Sequence, residues 1–522
     1  MNFRVARTYL SDGTPFIDGD THAAFGLAVP DQHGRESGVA AHWLWDGERL
    51  EVRADRHGYI PLYYHHDERT SEFHVSDSPL ALLASGVPAE FDRESLAFFC
   101  RAGFLLGDRT LYQGISRVPA GSTIRWSAEG LTVTTSEGRF DQDSPTSLAA
   151  AVDGWIDRFR VAMARRQPQD SDFGVPLSGG RDSRMMLMEL RSLGHHPREV
   201  ISFGPGSSGE NEDLLIARRI AGRLGLKHTI ARSVKSWLQT EHERHAWCGC
   251  EALEHSWLVG LWGYLRSTHR CWYDGLGAGA MTRGELNTPR MLELLRADDM
   301  SALCDEIYVQ TAAPSERWVG RILEAMDLEL PDRAETTEFV RRELDRHMDA
   351  PNPIALFSFC NWGRRGIALN PYGICRNVPE VHTPFMDRDL VDWVAAVPAE
   401  WTHEDDLQTT ASLRLHPELA DIEFDGHASG GSRGTSLLRR VGNWIDKARF
   451  FSGPGRVFKG LAGTAMRENR GDPDANRALT LMVHLVLADS SRVPEQARAL
   501  LQHAPRPEGG VRSTPEPPHE QV

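Results

Sequence analysis

Val175-Pro176-Leu177-Ser178-Gly179-Gly180-Arg181-Asp182-Ser183-Arg184 is the stretch on which the reading of this chain turns. An apolar strand end runs into two adjacent glycines and then into a helix that starts near Asp182. Glycines let the backbone turn with its N–H groups pointing inward, and a helix N-terminus adds positive dipole, so an anion is favoured there. The stretch predicts a phosphate cradle. It is not a Walker loop, because no Gly-Lys-Ser/Thr follows at the required spacing. A Gly-Gly turn ahead of a helix is often a turn and nothing more. Serines on both sides, an aspartate in the first helical turn and the Val-Pro-Leu strand give this one a nucleotide reading.

Outward from the cradle, helix alternates with buried strand. Leu148 to Arg166 has helical spacing of apolar residues, and a helix from Arg184 to Leu193 is closed by Gly194. Val200-Ile201-Ser202-Phe203-Gly204 is a second apolar strand, stopped by Pro205-Gly206; an amphipathic Asn211 to Leu224 then leads to a third strand at Lys227 to Ala231. This rhythm predicts a parallel sheet with a ligand crevice at the carboxyl ends of its strands. The Trp and His residues of 232–270 read as helical packing. Cys271-Trp272-Tyr273 returns to strand and opens a glycine-rich loop, Asp274-Gly275-Leu276-Gly277-Ala278-Gly279. Residues 290–370 read as helical, with solvated charged faces such as Glu335 to Arg346. Ahead of all this, residues 1 to about 135 read as β-rich, with turn pairs at Asp12-Gly13, Asp46-Gly47 and Glu129-Gly130.

The 522 residues suffice for two or three domains, and 40% hydrophobic with 25% charged residues is ordinary for a globular chain. A net charge of −15 argues against a nucleic-acid surface. No long apolar run and no signal-like start stand in the sequence, so neither a membrane nor secretion is expected, and the compartment expected is the cytoplasm. Seven cysteines in so long a chain read as reduced thiols; Cys248-Gly249-Cys250 is the only close pair, and no zinc site is expected from it.

The pattern Ser-Gly-Gly-x-Asp-Ser at 178–183 resembles the pyrophosphate loop of the N-type ATP pyrophosphatases, enzymes that split ATP between its α and β phosphates. Arg53-x-Asp55-Arg56-x-Gly58-x-x-Pro61-Leu62-Tyr63-Tyr64, then a serine-led helix after Ser76-Asp77-Ser78, then Thr110-Leu111-Tyr112-x-Gly114-Ile115 and Pro119-x-Gly121 look like the glutaminase-type domain ahead of the synthetase domain in asparagine synthetases. The resemblance covers roughly residues 50 to 425. It implies a two-domain α/β and α+β fold: an N-terminal vestigial Ntn-type β-sandwich over 1–140, and a C-terminal parallel-sheet domain of the adenine nucleotide α-hydrolase (PP-loop) type, with extra helices, over 148–425. A helical extension over 426–504, beginning in the Gly426–Gly434 loop, and a disordered tail over 505–522 complete the expectation.

The same resemblance implies Mg-ATP and a set of residues. Ser178, Gly179, Gly180 and Ser183 would hold the pyrophosphate, and Asp182 the magnesium. Leu177 and Phe203 would contact the adenine with Gly204 giving close backbone approach, although Phe203 also reads as an ordinary core aromatic. Asp274 and Gly275 count among the nucleotide-binding residues. Glu380, in Glu380-x-x-x-Pro384-Phe385-x-Asp387, aligns with the carboxylate that serves as general base in lactam-forming members; a structural salt bridge is the competing reading. Lys447 and Lys459 are both candidates for the lysine those relatives place near the C-terminus.

The chain also departs from the family. Its first cysteine is Cys100, so no N-terminal nucleophile is expected, and residues 1–50 look too few for the usual opening strands. In the glycine-rich loop, Leu276 and Gly279 stand where relatives carry a polar residue and a second magnesium-binding aspartate. Asp274 or Glu285 are the substitutes at hand. The expected activity is amide formation through an acyl-adenylate, from a carboxylate substrate and an amine or free ammonia rather than glutamine. A nucleotide-binding relative that acts through a partner, and asparagine synthesis from ammonia, are the alternatives. A homodimer is allowed for.

Overall fold

The computed structural model describes residues 1–6, 16–127, 129–135, 144–204, 212–232, 235–249, 251–253, 256–282, 286–311, 313–374, 380–402, 406–424, 437–468 and 472–489. Glu285, the Gly426–Gly434 loop and the tail at 505–522 lie outside the described residues.

Ten strands build the first described domain: β1 (Asn2–Ala6), β2 (Phe16–Gly19), β3 (His22–Leu27), β4 (Val39–Trp45), β5 (Leu50–Arg53), β6 (Tyr63–Asp67), β7 (Glu72–Ser76), β8 (Ser116–Arg117), β9 (Ser122–Ser127) and β10 (Gly130–Thr135). They pair antiparallel in two sheets, ordered β2-β1-β7-β6-β8 and β10-β9-β5-β4-β3. Alternate residues of a strand face one side. Val39, Ala41, Trp43 and Trp45 of β4 accordingly turn inward, where they meet Phe3, Val5, Phe73 and Val75 of the other sheet. The result is a β-sandwich. The expectation that residues 1–50 are too few for opening strands is corrected here, since β1 to β4 all lie within them; strands of four to seven residues suffice. Helices α1 (Pro79–Ala84) and α2 (Arg93–Ala102) flank the sandwich.

The second domain alternates α3 (Leu148–Ala164), β11 (Phe173–Pro176), α4 (Arg181–Ser192), β12 (Glu199–Gly204), α5 (Glu212–Leu224), β13 (His228–Arg232), α6 (Trp237–Cys248), α7 (Val259–Thr268), β14 (Cys271–Tyr273) and, after a run of helices, β15 (Glu380–His382). The sheet is wholly parallel and ordered β13-β12-β11-β14-β15. One face, with Val175, Val200 and Tyr273, packs against apolar residues of α3, α4 and α5; the other, with Ile201, Trp272 and Val381, packs against α6 and α7. Strand order reverses between β11 and β14. In such sheets the loops at that point diverge and leave a crevice at the carboxyl edge.

A buried polar seam joins the domains. Arg365 grips Glu251 with both arms, at 2.7 and 2.9 Å, and also donates to the Gly107 and Arg109 carbonyls of the first domain. Its neighbour Arg364 donates to the carbonyls of Gly58 and Val118 at 3.1 Å each and pairs with Asp108 at 2.7 Å. Both arginines stand on the π-helical stretch Phe359–Ile367. Asp387 makes a second seam: it accepts from Ser37 at 2.8 Å and Arg166 at 2.7 Å, and Arg165 reaches it too.

Three further helices, Leu437–Ser452, Lys459–Glu468 and Pro473–Ala488, do not trail from the second domain. Leu479, Met482 and Leu485 share a core with Leu80, Leu83, Leu96 and Phe99 of the first domain, and the Tyr112 hydroxyl donates to the Ala488 carbonyl at 3.2 Å. Among the described residues no helix is long and apolar enough to cross a membrane.

Candidate functional site

β11 ends at Pro176, and the next four residues form the turn into α4. The Ser178 N–H donates to Ser183 Oγ at 3.0 Å, the two serine hydroxyls lie 3.0 Å apart, and the Gly180 N–H donates to Ser178 Oγ at 3.1 Å. Gly180 occupies the N-cap position of α4, whose first turn carries Asp182 and where no side chain caps the helix. Backbone amides and helix dipole therefore converge at one tip. The Gly179 N–H points to an anion within the chain, donating to the Asp213 carboxylate at 2.7 Å from the first turn of α5.

Across the switch point, β14 brings Asp274 and Gly275 to the same place. A Cβ on Gly275 would stand 3.1 Å from the Asp182 Cβ, so the missing side chain at 275 is what lets the two loops touch. Asp274 is buried; its N–H donates to the His382 carbonyl at 2.8 Å, and its oxygens accept from the Leu276 N–H at 2.9 Å and the Asn370 amide at 3.2 Å. Burial pushes its carboxyl up to about 6; the Leu276 N–H opposes that shift and the charge of Asp182 adds to it. The Gln408 amide donates to Asp182 Oδ1, and Thr282 lies behind Gln408 at 3.4 Å. Arg184 ties the underside, donating to the Gly179 carbonyl at 3.4 Å and to those of Ile422 and Glu423 at 2.8 and 3.0 Å.

Ser178, Gly179, Gly180, Asp182, Ser183, Asp274 and Gly275 are thus brought together. Leu177 and Phe203 are not paired: Leu177 is buried in the core on the α4 face, and Phe203 packs partly buried against the core on the opposite face. Gly204 does permit a close approach, but by Ile230 and Arg232, whose side chains would stand 2.6 and 3.1 Å from its Cβ. Leu276 is buried in the core, and a Cβ on Gly279 would meet nothing within 4 Å.

Glu380 is placed away from the cradle. It pairs with Cys271, which pairs with Phe173, so it lies at the amino edge of the sheet. At about 3.3 Å per residue that edge is on the order of 15 Å below Ser178. The Glu380 carboxylate lies 2.6 Å from His382 Nε2, a contact that lowers its pKa, so it is neither near the loop nor poised as a base. Lys447 and Lys459 belong to the C-terminal helices. Lys447 sits 4.2 Å from the centre of the Trp237 ring, where burial pushes it down to about 8.

Asp213, Gln408, Asn370 and Arg184 are site residues that motif reading misses. Asp213 alone carried a signal, an acidic residue opening a helix.

Two family models match the chain: asparagine synthase over residues 154–410, and the glutamine amidotransferase domain over residues 23–137. No curated protein matches it in sequence. Among solved structures it is similar to glutamine phosphoribosylpyrophosphate amidotransferase from B. subtilis, at 10% identity over 37% of this chain and 58% of that one, with a TM-score of 0.15. NAD+ synthetase from Burkholderia pseudomallei aligns at 17% identity over 40% of this chain and 91% of that one, with a TM-score of 0.20. The chain thus spans little more than half the length of the first of these.

Proposed function

The chain belongs to the asparagine synthetase family, and from that premise we propose that it is an ATP-dependent ligase that forms an amide through an acyl-adenylate. A substrate carboxylate oxygen attacks the α-phosphorus, the bond to the bridging oxygen breaks, and pyrophosphate leaves. An amine then attacks the acyl carbon, gives up a proton to solvent, and AMP departs. One observation carries this reading: at the switch point, the tip of β11 presents a backbone N–H, that of Gly179, which already holds an anion, the Asp213 carboxylate, beside Asp182 and Asp274. The backbone amides of that tip favour charge on the leaving pyrophosphate more than on the bound triphosphate, which is how such donors lower a barrier.

The two carboxylates fit a magnesium ion, which takes oxygen ligands and keeps several waters. Asp182 and Asp274 would hold it, and when bound it supplies neutralisation of phosphate charge. The remaining steps fall to the chain: Ser178 and Ser183 orient phosphate oxygens, Gln408 fixes the Asp182 rotamer, and Gly275 keeps the loops in contact. The amine comes from the substrate or from free ammonia. Cys100 is buried in α2 with its thiol pushed up to about 12 by burial, and offers no glutaminase nucleophile. The acceptor is a small-molecule, peptide or sugar-acid carboxylate.

Pyrophosphate release by the wild type and by Asp182→Ala, across a panel of carboxylates, tests this. The proposal expects release in the wild type and a loss of about a hundredfold or more in the variant. Equal rates would remove the mechanism. The buried Leu276 and the bare Gly279 favour a second reading, nucleotide binding without turnover. Calorimetry separates the two, since that reading expects heat on adding Mg-ATP and no pyrophosphate with any carboxylate.

A further inference from the structure

At the amino edge of the parallel sheet, opposite the cradle, Cys271, Glu380 and His382 turn the same way. Register explains it: Cys271 lies beside Glu380 and Tyr273 beside His382, and alternate residues of adjacent strands share a face. Cys271 Sγ, a Glu380 carboxylate oxygen and a His382 ring nitrogen lie within 4.8 Å of one another. The imidazole is held upright by Tyr273, with ring centroids 4.7 Å apart and planes inclined by 18°.

The cluster is buried at one end and open at the other. Cys271 and His382 are 8% and 4% exposed, whereas the Glu380 side chain is 29% exposed. His382 Nε2 faces Glu380 at 2.6 Å, while Nδ1 is buried with no hydrogen-bond partner. An unsatisfied buried ring nitrogen in a native core asks for an unseen partner, a water or an ion.

We propose that Cys271, Glu380 and His382 form a zinc site, with water completing four-fold coordination. The donor set selects the ion: thiolate, imidazole and carboxylate together suit zinc, whereas magnesium and calcium take oxygen donors. On binding, the Cys271 thiol loses its proton to solvent and the metal keeps its oxidation state. The ion would clip the three-residue edge strand β15 onto β14. Because the His382 carbonyl accepts the Asp274 N–H, the same clip would hold Asp274 in place at the far end of the sheet. Glu380 becomes a metal ligand in this assignment, with no part in proton transfer.

Metal-free full-length protein titrated with cobalt(II), as a spectroscopic stand-in for zinc, tests the site. The proposal expects a near-ultraviolet thiolate-to-cobalt band that saturates at one equivalent and is displaced by zinc. Cys271→Ser should abolish the band and Glu380→Gln should weaken cobalt binding by about tenfold or more. Cys304→Ser and Asp182→Ala should both keep it, the latter separating this site from nucleotide binding. If Cys271→Ser does not fold, the wild type and the part-exposed Glu380→Gln still decide. A folded wild type without the band, or a band that survives Cys271→Ser or is unmoved by Glu380→Gln, would overturn the assignment.

Discussion

Asp274 shows how one residue can be set by forces that oppose each other. Burial raises its pKa to about 6, the Leu276 N–H lowers it, and the neighbouring Asp182 raises it again. A carboxyl whose folded pKa lies above its unfolded value costs stability as pH rises from the unfolded pKa to the folded one, and the cost is constant beyond. Asp274→Asn removes the titration. Relative to the variant, the wild type should therefore lose on the order of 2 to 3 kcal/mol between about pH 4 and pH 6 in the absence of magnesium, read from denaturant midpoints. A difference that stays flat across that interval would contradict the assigned environment. Asp213 makes a companion case. Its carboxylate occupies the Gly179 N–H that a phosphate oxygen needs. Removing a charge-assisted contact of this kind by Asp213→Ala should tighten ATP binding about tenfold by calorimetry. Weaker binding would mean that Asp213 contacts the nucleotide rather than standing in for it.

At the scale of elements, the π-helical stretch Phe359–Ile367 and the turn at Gly58 make one joint. Gly58 has φ of +64°, and a Cβ there would lie 2.7 to 2.9 Å from the Arg364 guanidinium. Gly58→Ala should cost about 1 to 3 kcal/mol from backbone conformation alone, with the displaced arginine adding to it, as measured by urea midpoint. A change within error would show that the joint can yield. The glycine of the Arg-x-Asp-Arg-x-Gly motif was visible in the sequence, but its reason was not, because its partner lies 306 positions away. The same holds for Gln408, which meets Asp182 across 226 positions. Strand and helix alternation around the cradle was legible because period and punctuation are local signals. Which end of a strand a motif residue occupies is a matter of register, and for that reason Glu380 could be found by its spacing and still be placed wrongly.

The whole molecule is held as one body by two buried seams and a C-terminal clasp. The sandwich, the parallel sheet and their order along the chain could all be read in advance. The clasp could not, since Leu479 and Met482 are merely apolar helix positions until Leu80 and Phe99 are seen against them. Removing residues 437–489 would expose that shared core. The truncated chain should lose the single cooperative melt of the full chain and aggregate on heating, as followed by calorimetry and light scattering. A truncated form melting as before would show the clasp to be dispensable. The distance between the tip of β11 and the loop after β14, on which the proposed chemistry depends, is set within the sheet, by the direct pairing of the two strands and the bare Gly275.

Crystals soaked with magnesium and the α,β-methylene analogue of ATP would probe the proposed chemistry at its source. The account predicts the β and γ phosphates within hydrogen-bond reach of the Gly179 and Gly180 N–H groups, Asp213 swung away, and the metal between Asp182 and Asp274. A loop still closed on Asp213, with the nucleotide elsewhere or absent, would contradict it.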